Sequence, residues 1–358
     1  MTIQIDTPTF DVVTADIDAS ELAHAATWVV KHMKRRQPAP ILETVNLSVS
    51  AGGVRLRATD YETWREASLG EIDGPIEQIQ LAGRQLAALT RPLRGRASIA
   101  IHEDRLSLTM PGRVVTVPKA GEVSEWPLPP EYAATTEHSV AVAALKRAMT
   151  SIGTDDALPM LTHLLCENGY LLSTDRFMIT REESPGLAMG VLVPRNALRL
   201  FTTGKGNVNL SESGQWVSVA CEGQVVIAKA FDRDAYPKVD RLIRTSSAFD
   251  SGCAAAECDR KSLLNACGGE SVLIRRDAAV GLSVSALVDR DVVSTSQVPA
   301  DVDADFCQVL ISAVRLTSAL KGCSTDRVRL SVPESGTKPV LLRSGSTEHL
   351  MMPQRGPR

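Results

Sequence analysis

A chain of 358 residues is too long for one ordinary core and matches about three domains of the usual ~100–150 residues. Its 44% hydrophobic content and net charge of −3 are those of a soluble globular protein, and no apolar run approaches the ~20 residues that cross a bilayer. Seven cysteines without a Cys-x-x-Cys pair fit reduced thiols in a cytoplasm, and the opening Met-Thr-Ile-Gln-Ile-Asp predicts no secretory signal.

In chain order, Leu22, Ala25, Ala26, Val29, Val30 and Met33 share one helical face, with Ser20 as the expected N-cap. A strand led in by Pro40 follows, then a Gly-Gly turn, then a return strand closing on Thr59-Asp60. A short helix is expected over 83–93. The pattern then recurs: Leu145, Ala148, Met149 and Ile152 mark a helix, and a hairpin runs from Pro159 through Gly169 to Thr174-Asp175. Another short helix is expected over 194–203. A third, weaker copy has helices over 260–267 and 311–321 around a hairpin of 272–274 and 281–286. Such an internal repeat predicts an α+β protein of three tandem similar domains, 1–136, 137–248 and 249–358. The Pro-rich 127–130 and the polar 244–252 are the seams.

Little in the chain suggests catalysis. Cys253, Cys258 and Cys267 lack ligand spacing and no histidine pair supports them, so neither metal nor cofactor is expected. Gly204-Lys205-Gly206 is too short for a phosphate loop and reads as a helix-ending turn. Asp155-Asp156 and Glu182-Glu183 fall in expected loops. Thr59-Asp60 and Thr174-Asp175 occupy equivalent places, which favours a structural role: each can bond the backbone N–H groups of the following turn.

Charge is sorted by element. The expected helices and their flanks carry, among others, Lys31, Lys34, Arg35, Arg36, Arg84, Arg91, Lys146, Arg147, Arg195, Arg199, Arg315 and Lys321. Against them stand Glu21 and Asp259, each where a helix N-terminus favours a carboxylate. Solvated helix faces usually mix both signs. Basic helices on an acidic chain point instead to a phosphate-facing surface, and these twelve cations are the expected nucleic-acid contacts.

Four stretches resemble the bacterial DNA polymerase III beta subunit, the DNA sliding clamp. They are Pro40-Ile41-Leu42 with 56–60; 158–161 with Ser173-Thr174-Asp175-Arg176-Phe177-Met178-Ile179; Tyr236-Pro237 through Ile243; and Lys338-Pro339-Val340 with Glu348 through Arg355. The resemblance covers about 10–355. It implies helices lining a channel, sheets outside, and two chains joined head to tail as a ring around duplex DNA. It further implies a non-catalytic clamp tethering a polymerase, found in the cytoplasm with the nucleoid and not at a membrane. Its implied partners are double-stranded DNA, a second copy, the polymerase catalytic subunit and the clamp loader. A non-ring scaffold or regulatory paralogue is the alternative reading.

Carried over residue by residue, the family's partner-peptide pocket falls on Leu161, Thr174, Arg176, Phe177, Ile179, Pro237, Leu242, Pro339, Leu350, Met352 and Pro353, with Met178, Arg241, Gln354 and Arg355 at its rim. Met178 stands where the family usually has arginine and Gln354 where it has an apolar residue, departures that suggest a paralogue or phage-borne clamp. Arg36 matches a DNA-contacting arginine loop. At the ring joint, the β-branched run Arg113, Val114, Val115, Thr116 and Val117 would be a hazardous free edge, so it is expected to pair with a third-domain strand of the partner. Leu263 and Leu264 are its expected apolar neighbours.

Overall fold

The computed structural model describes residues 14–31, 33, 38–239, 253–334 and 338–354. One element order, β-α-β-β-β, occurs six times among them. The first pair of repeats holds β1 (Thr14–Asp18), α1 (Ala19–Val29), β2 (Thr44–Ser50), β3 (Gly53–Thr59) and β4 (Thr63–Gly70), then β5 (Glu77–Ala82), α2 (Gly83–Thr90), β6 (Arg96–Ile101), β7 (Arg105–Met110) and β8 (Arg113–Gly121). The second holds β9 (Thr136–Ala141), α3 (Val142–Ala148), β10 (His163–Glu167), β11 (Tyr170–Thr174) and β12 (Met178–Glu183), then β13 (Gly190–Pro194), α4 (Arg195–Leu198), β14 (Asn207–Ser213), β15 (Trp216–Cys221) and β16 (Gln224–Lys229). The third holds β17 (Cys253–Asp259), α5 (Arg260–Ala266), β18 (Ser271–Asp277), β19 (Gly281–Val288) and β20 (Asp291–Val302), then β21 (Val309–Ser312), α6 (Ala313–Lys321), β22 (Arg327–Pro333), β23 (Val340–Ser344) and β24 (Thr347–Met351).

The chain divides into two compact units, 1–135 with 209–229, and 136–208 with 230–358. In the first, a sheet runs β1-β6-β7-β8-β5-β2-β3-β4-β16-β15-β14. Its inner face buries Leu47, Leu56, Leu81, Ile99, Leu106 and Leu108 against Leu22, Ala26 and Val29 of α1 and Leu86 of α2. In the second, the order is β13-β10-β11-β12-β24-β23-β22-β17-β20-β19-β18-β21, all antiparallel where paired. Here Leu263 of α5 and Leu316 and Leu320 of α6 close a core with Val272, Ile274, Val284 and Leu330.

The hairpins fall where the sequence puts them. Asn168 and Gly169 at φ 50° and 81° form the two-residue turn that antiparallel twist favours. The paired Thr-Asp motifs are chain reversals, as expected. Asp60 Oδ1 accepts from the backbone N–H of Thr63 at 2.8 Å, and Thr59 Oγ1 from that of Tyr61 at 3.0 Å. Asp175 and Thr174 repeat this with Met178 at 2.7 Å and Arg176 at 3.1 Å, and Tyr61 and Arg176 both sit at positive φ.

The helices are shorter than the sequence suggests. α1 ends at Val29 rather than reaching Met33, and α4 is a single turn, because tertiary packing and not the apolar stripe sets where each stops. The cap of α1 is Asp18, not Ser20: its carboxylate accepts from the Ser20 N–H at 2.7 Å, and the Ser20 side chain first and that N–H second hold its pKa below the usual carboxylate range. Asp259 caps α5 in the same way through Ser262.

Candidate nucleic-acid and partner interfaces

Of the twelve cations, Arg84, Lys146, Arg147, Arg195, Arg315 and Lys321 lie on helices, Arg91 and Arg199 are C-cap residues, and Lys31 follows α1. Lys34, Arg35 and Arg36 lie outside the described residues. Arg84, Arg91, Lys146, Arg199 and Lys321 are exposed, and none of them has a carboxylate partner among the described residues. Arg84 donates to the Met33 carbonyl at 2.8 Å, and Lys31 is half-buried at the end of α1. Arg195 is half-buried beside Arg199, and its guanidinium pKa is lowered by burial first and by that like charge second.

Two further cations already hold carboxylates. Arg147 reaches the buried Glu182 at 2.5 Å, and Arg315 lies 3.6 Å from Asp175. Helical periodicity cannot reveal such partners, which arrive from strand β12 and from the turn before it.

That turn builds the second surface. Its positive-φ residue, Arg176, lifts Phe177 out to 47% exposure. The Arg315 guanidinium stacks on the ring, 4.2 Å from its centroid, and Arg176 lies at 6.0 Å. The Met352 N–H donates to the Phe177 carbonyl at 2.9 Å, placing the exposed Met352 side chain next along the strand edge. Underneath, Ile179 faces Leu350 across β12 and β24 and packs with Tyr236, Val239 and Leu341. Burial drives the Tyr236 phenol pKa up.

Other pocket residues scatter. Leu161 and Thr174 are buried, Pro237 is exposed, and Pro339 and Pro353 are half-buried. Met178 is a correction: only 3% exposed, it joins the core of the second unit and does not form a rim. The reason is strand alternation, since it pairs with the buried Met351. Gln354 accepts from Ser271 Oγ at 2.5 Å and lines a polar cavity of about 510 Å³ with Glu270, Asp289 and Arg290. Arg241, Leu242 and Arg355 lie outside the described residues. Sequence reasoning did not foresee Arg315 as the cation on Phe177; no local signal marks a contact between residues so far apart in the chain.

The third surface is a pair of strand edges. β8 pairs with β7 through 113–118 and with β5 only at Lys119 and Gly121. Its other edge over 113–117 has no strand beside it among the described residues. Arg113, Val114 and Thr116 are exposed, whereas Val115 and Val117 fill the core. β20 is built alike, paired with β19 over 291–299 and with β17 only beyond, and it exposes Val292 and Val293. Leu263 is fully buried in its own core and offers a partner no surface; Leu264 is half-buried.

Residues 14–124 match the family model described as DNA polymerase III beta subunit, N-terminal domain. The chain is 27% identical to the beta sliding clamp of Streptomyces coelicolor, covering 91% of this chain and 92% of that one. It is 25% identical to the beta sliding clamp of Micrococcus luteus, over 74% and 89%. A Pseudomonas aeruginosa sliding clamp (DNA polymerase III subunit beta) solved bound to griselimycin superposes with a TM-score of 0.81 at 18% identity, covering 96% of this chain and 100% of that one. The chain is thus similar to beta sliding clamps over most of its length, and its residues 14–124 match the beta-subunit N-terminal domain. The sixfold element order is in keeping with that similarity.

Proposed function

We propose that this chain is a DNA sliding clamp: three domains at 1–136, 137–248 and 249–358, two copies closing head to tail around duplex DNA, and no catalysis of its own. The observation that carries the reading is a set of exposed cations on helices and their C-caps with no carboxylate partner among the described residues: Arg84, Arg91, Lys146, Arg199 and Lys321. Such groups attract phosphates without reading bases, so attraction is nearly equal at every register and a ring slides. A tethered polymerase then stays at high effective concentration near the primer end. A closed ring is expected to remain on nicked circular DNA and to run off once the circle is cut; equal loss from both substrates would end the proposal.

The cations make a finer forecast. Replacing Lys146 and Arg199 together by alanine should weaken binding alike on all sequences. The slope of log K against log salt should flatten by about 0.9 for each phosphate that is no longer neutralised. Weakening that depended on sequence would indicate base readout.

For the joint, the free edge of β8 in one copy is proposed to pair with the free edge of β20, over 291–297, in the other, under the exposed Val114, Val292 and Val293. Val114→Lys is the informative change, because Val115 belongs to the core and its replacement would unfold the first unit. Sedimentation of Val114→Lys should show monomer at concentrations where the parent is a dimer; an unchanged dimer would place the joint elsewhere. The surface around Phe177, Arg315 and Met352 is proposed as the docking site for short peptides of the polymerase and clamp loader. The exposed aromatic and the adaptable methionine suit that role.

A further inference from the structure

The repeat that builds the Phe177 surface builds a second cleft in the first unit. In the second unit, the Thr174-Asp175 turn leads into β12, Ile179 faces Leu350 on β24, and a 3₁₀ turn at Arg233–Ala235 delivers Tyr236-Pro237 beneath. In the first, the Thr59-Asp60 turn leads into β4, Trp64 faces Ile227 on β16, and a 3₁₀ turn at Val123–Glu125 delivers Trp126-Pro127. The two aromatic residues share backbone angles, φ −76° and ψ 131° at Trp126 against φ −73° and ψ 141° at Tyr236. Each also donates its N–H three residues back, at 3.1 Å in both cases.

What differs is the filling. In the first unit a cavity of about 100 Å³ is left, walled by Trp64, Trp126, Pro129 and Ile227, with Arg57 and Glu66 at its polar side. Trp64 is held edge-on to Trp216, with ring centroids 5.4 Å apart. Both cleft indole N–H groups, of Trp64 and Trp126, are buried without an acceptor among the described residues, an uncommon deficit. Charge is also unbalanced. Glu66 is shared by Arg57 at 2.8 Å and Arg55 at 3.3 Å, so two guanidiniums meet one carboxylate.

We propose that this cleft is a second docking site, for a short acidic–aliphatic peptide of a protein partner. The proposal rests on the peptide-surface reading above for its template. A cavity smaller than the ~150 Å³ that accepts benzene takes one aliphatic side chain. A following carboxylate takes the guanidinium that Glu66 leaves under-neutralised.

The test uses the full chain and the probe acetyl-Ser-Leu-Pro-Glu-Asp-amide, followed by calorimetry and by tryptophan fluorescence, since two indoles line the site. Parent and Phe177→Ala proteins should bind it alike. Ile227→Glu, and a probe with both acids changed to lysine, should each bind about tenfold more weakly. Arg57→Glu serves where Ile227→Glu fails to fold: it should weaken the acidic probe and strengthen the lysine probe. No saturable binding to the parent overturns the proposal, as does binding indifferent to both Ile227→Glu and Arg57→Glu. Binding abolished in Phe177→Ala alone assigns the probe to the other surface, overturning the second site while upholding its template. A Gln-x-x-Leu-x-Phe peptide whose affinity ignores Phe177→Ala would instead remove the template, leaving the response to Arg57→Glu to decide the cleft.

Discussion

Arg147→Ala is expected to destabilise the protein by about 3–5 kcal/mol, more than truncation of the exposed cations Arg84, Arg91, Lys146, Arg199 or Lys321. Glu182 is 1% exposed and accepts from Arg147 Nε at 3.2 Å, Arg147 Nη2 at 2.5 Å, Ser346 Oγ at 2.9 Å and Thr347 Oγ1 at 2.6 Å. Removing the guanidinium strands a desolvated carboxylate with two hydroxyl donors, and that penalty far exceeds what an exposed pair contributes. Urea denaturation measures it. Arg147→Ala combined with Glu182→Gln should recover much of the stability, because the stranded charge disappears. Lys146→Ala, one residue away and exposed, should stay within about 0.5 kcal/mol of the parent. A change under about 1 kcal/mol for Arg147→Ala would mean the carboxylate escapes to solvent. The same pair bears on DNA: an arginine committed to Glu182 has fewer donors left for a phosphate than its neighbour Lys146.

Stability is also expected to fall as pH drops from about 6.5 to about 4, by roughly 3 kcal/mol from one histidine. His349 is fully buried, and burial pushes its pKa down to about 4, against an opposing contribution from the Gly322 backbone. The unfolded chain takes up a proton near 6.5, while the folded one resists until about 4. Within that window the unfolded state therefore binds more protons, and acid favours it; below about 4 this group adds nothing further. His349 Nδ1 meets Thr180 Oγ1 at 3.0 Å, and Thr180 continues to Ser151 and Ser173, so the imidazole ends a buried chain of hydroxyls. His349→Gln removes the titration and should flatten the pH slope over about 4–6.5 relative to the parent, whatever its stability at neutral pH. His163, whose pKa burial also lowers, contributes in the same direction and leaves a residual slope. Parallel slopes for parent and His349→Gln would show that the network opens before the ring is protonated.

The sequence exposed what is local and periodic. Hairpins, the Thr-Asp reversals and the basic helices are written within runs of about ten to twenty residues, where turn chemistry and side-chain alternation act directly. What it hid depends on pairings between distant segments. Strand alternation buries Met178 only because β24 lies beside β12, and Arg147 and Arg315 lose their freedom only because Glu182 and Asp175 come opposite them. The Asp18 cap was missed for a different reason: Asp and Ser both cap well, and two residues of offset in the helix start decide between them. The cleft of Trp64 and Trp126 was legible in principle, since aromatic-Pro occurs at 126–127 and again at 236–237 in matching places after a strand.

The position of β24 has a consequence for how the second unit acquires its structure. Residues 347–351 lie inside the sheet, bonded to β12 on one side and β23 on the other. Joining 178–183 to them closes a loop of well over a hundred residues, an entropic cost that must be met before the pairing it permits can offset it. During synthesis the edge of β12 therefore waits, unpaired, until nearly the whole chain has emerged. The polar Thr180, Arg181 and Glu182 on that waiting strand interrupt what would otherwise be an apolar, aggregation-prone edge.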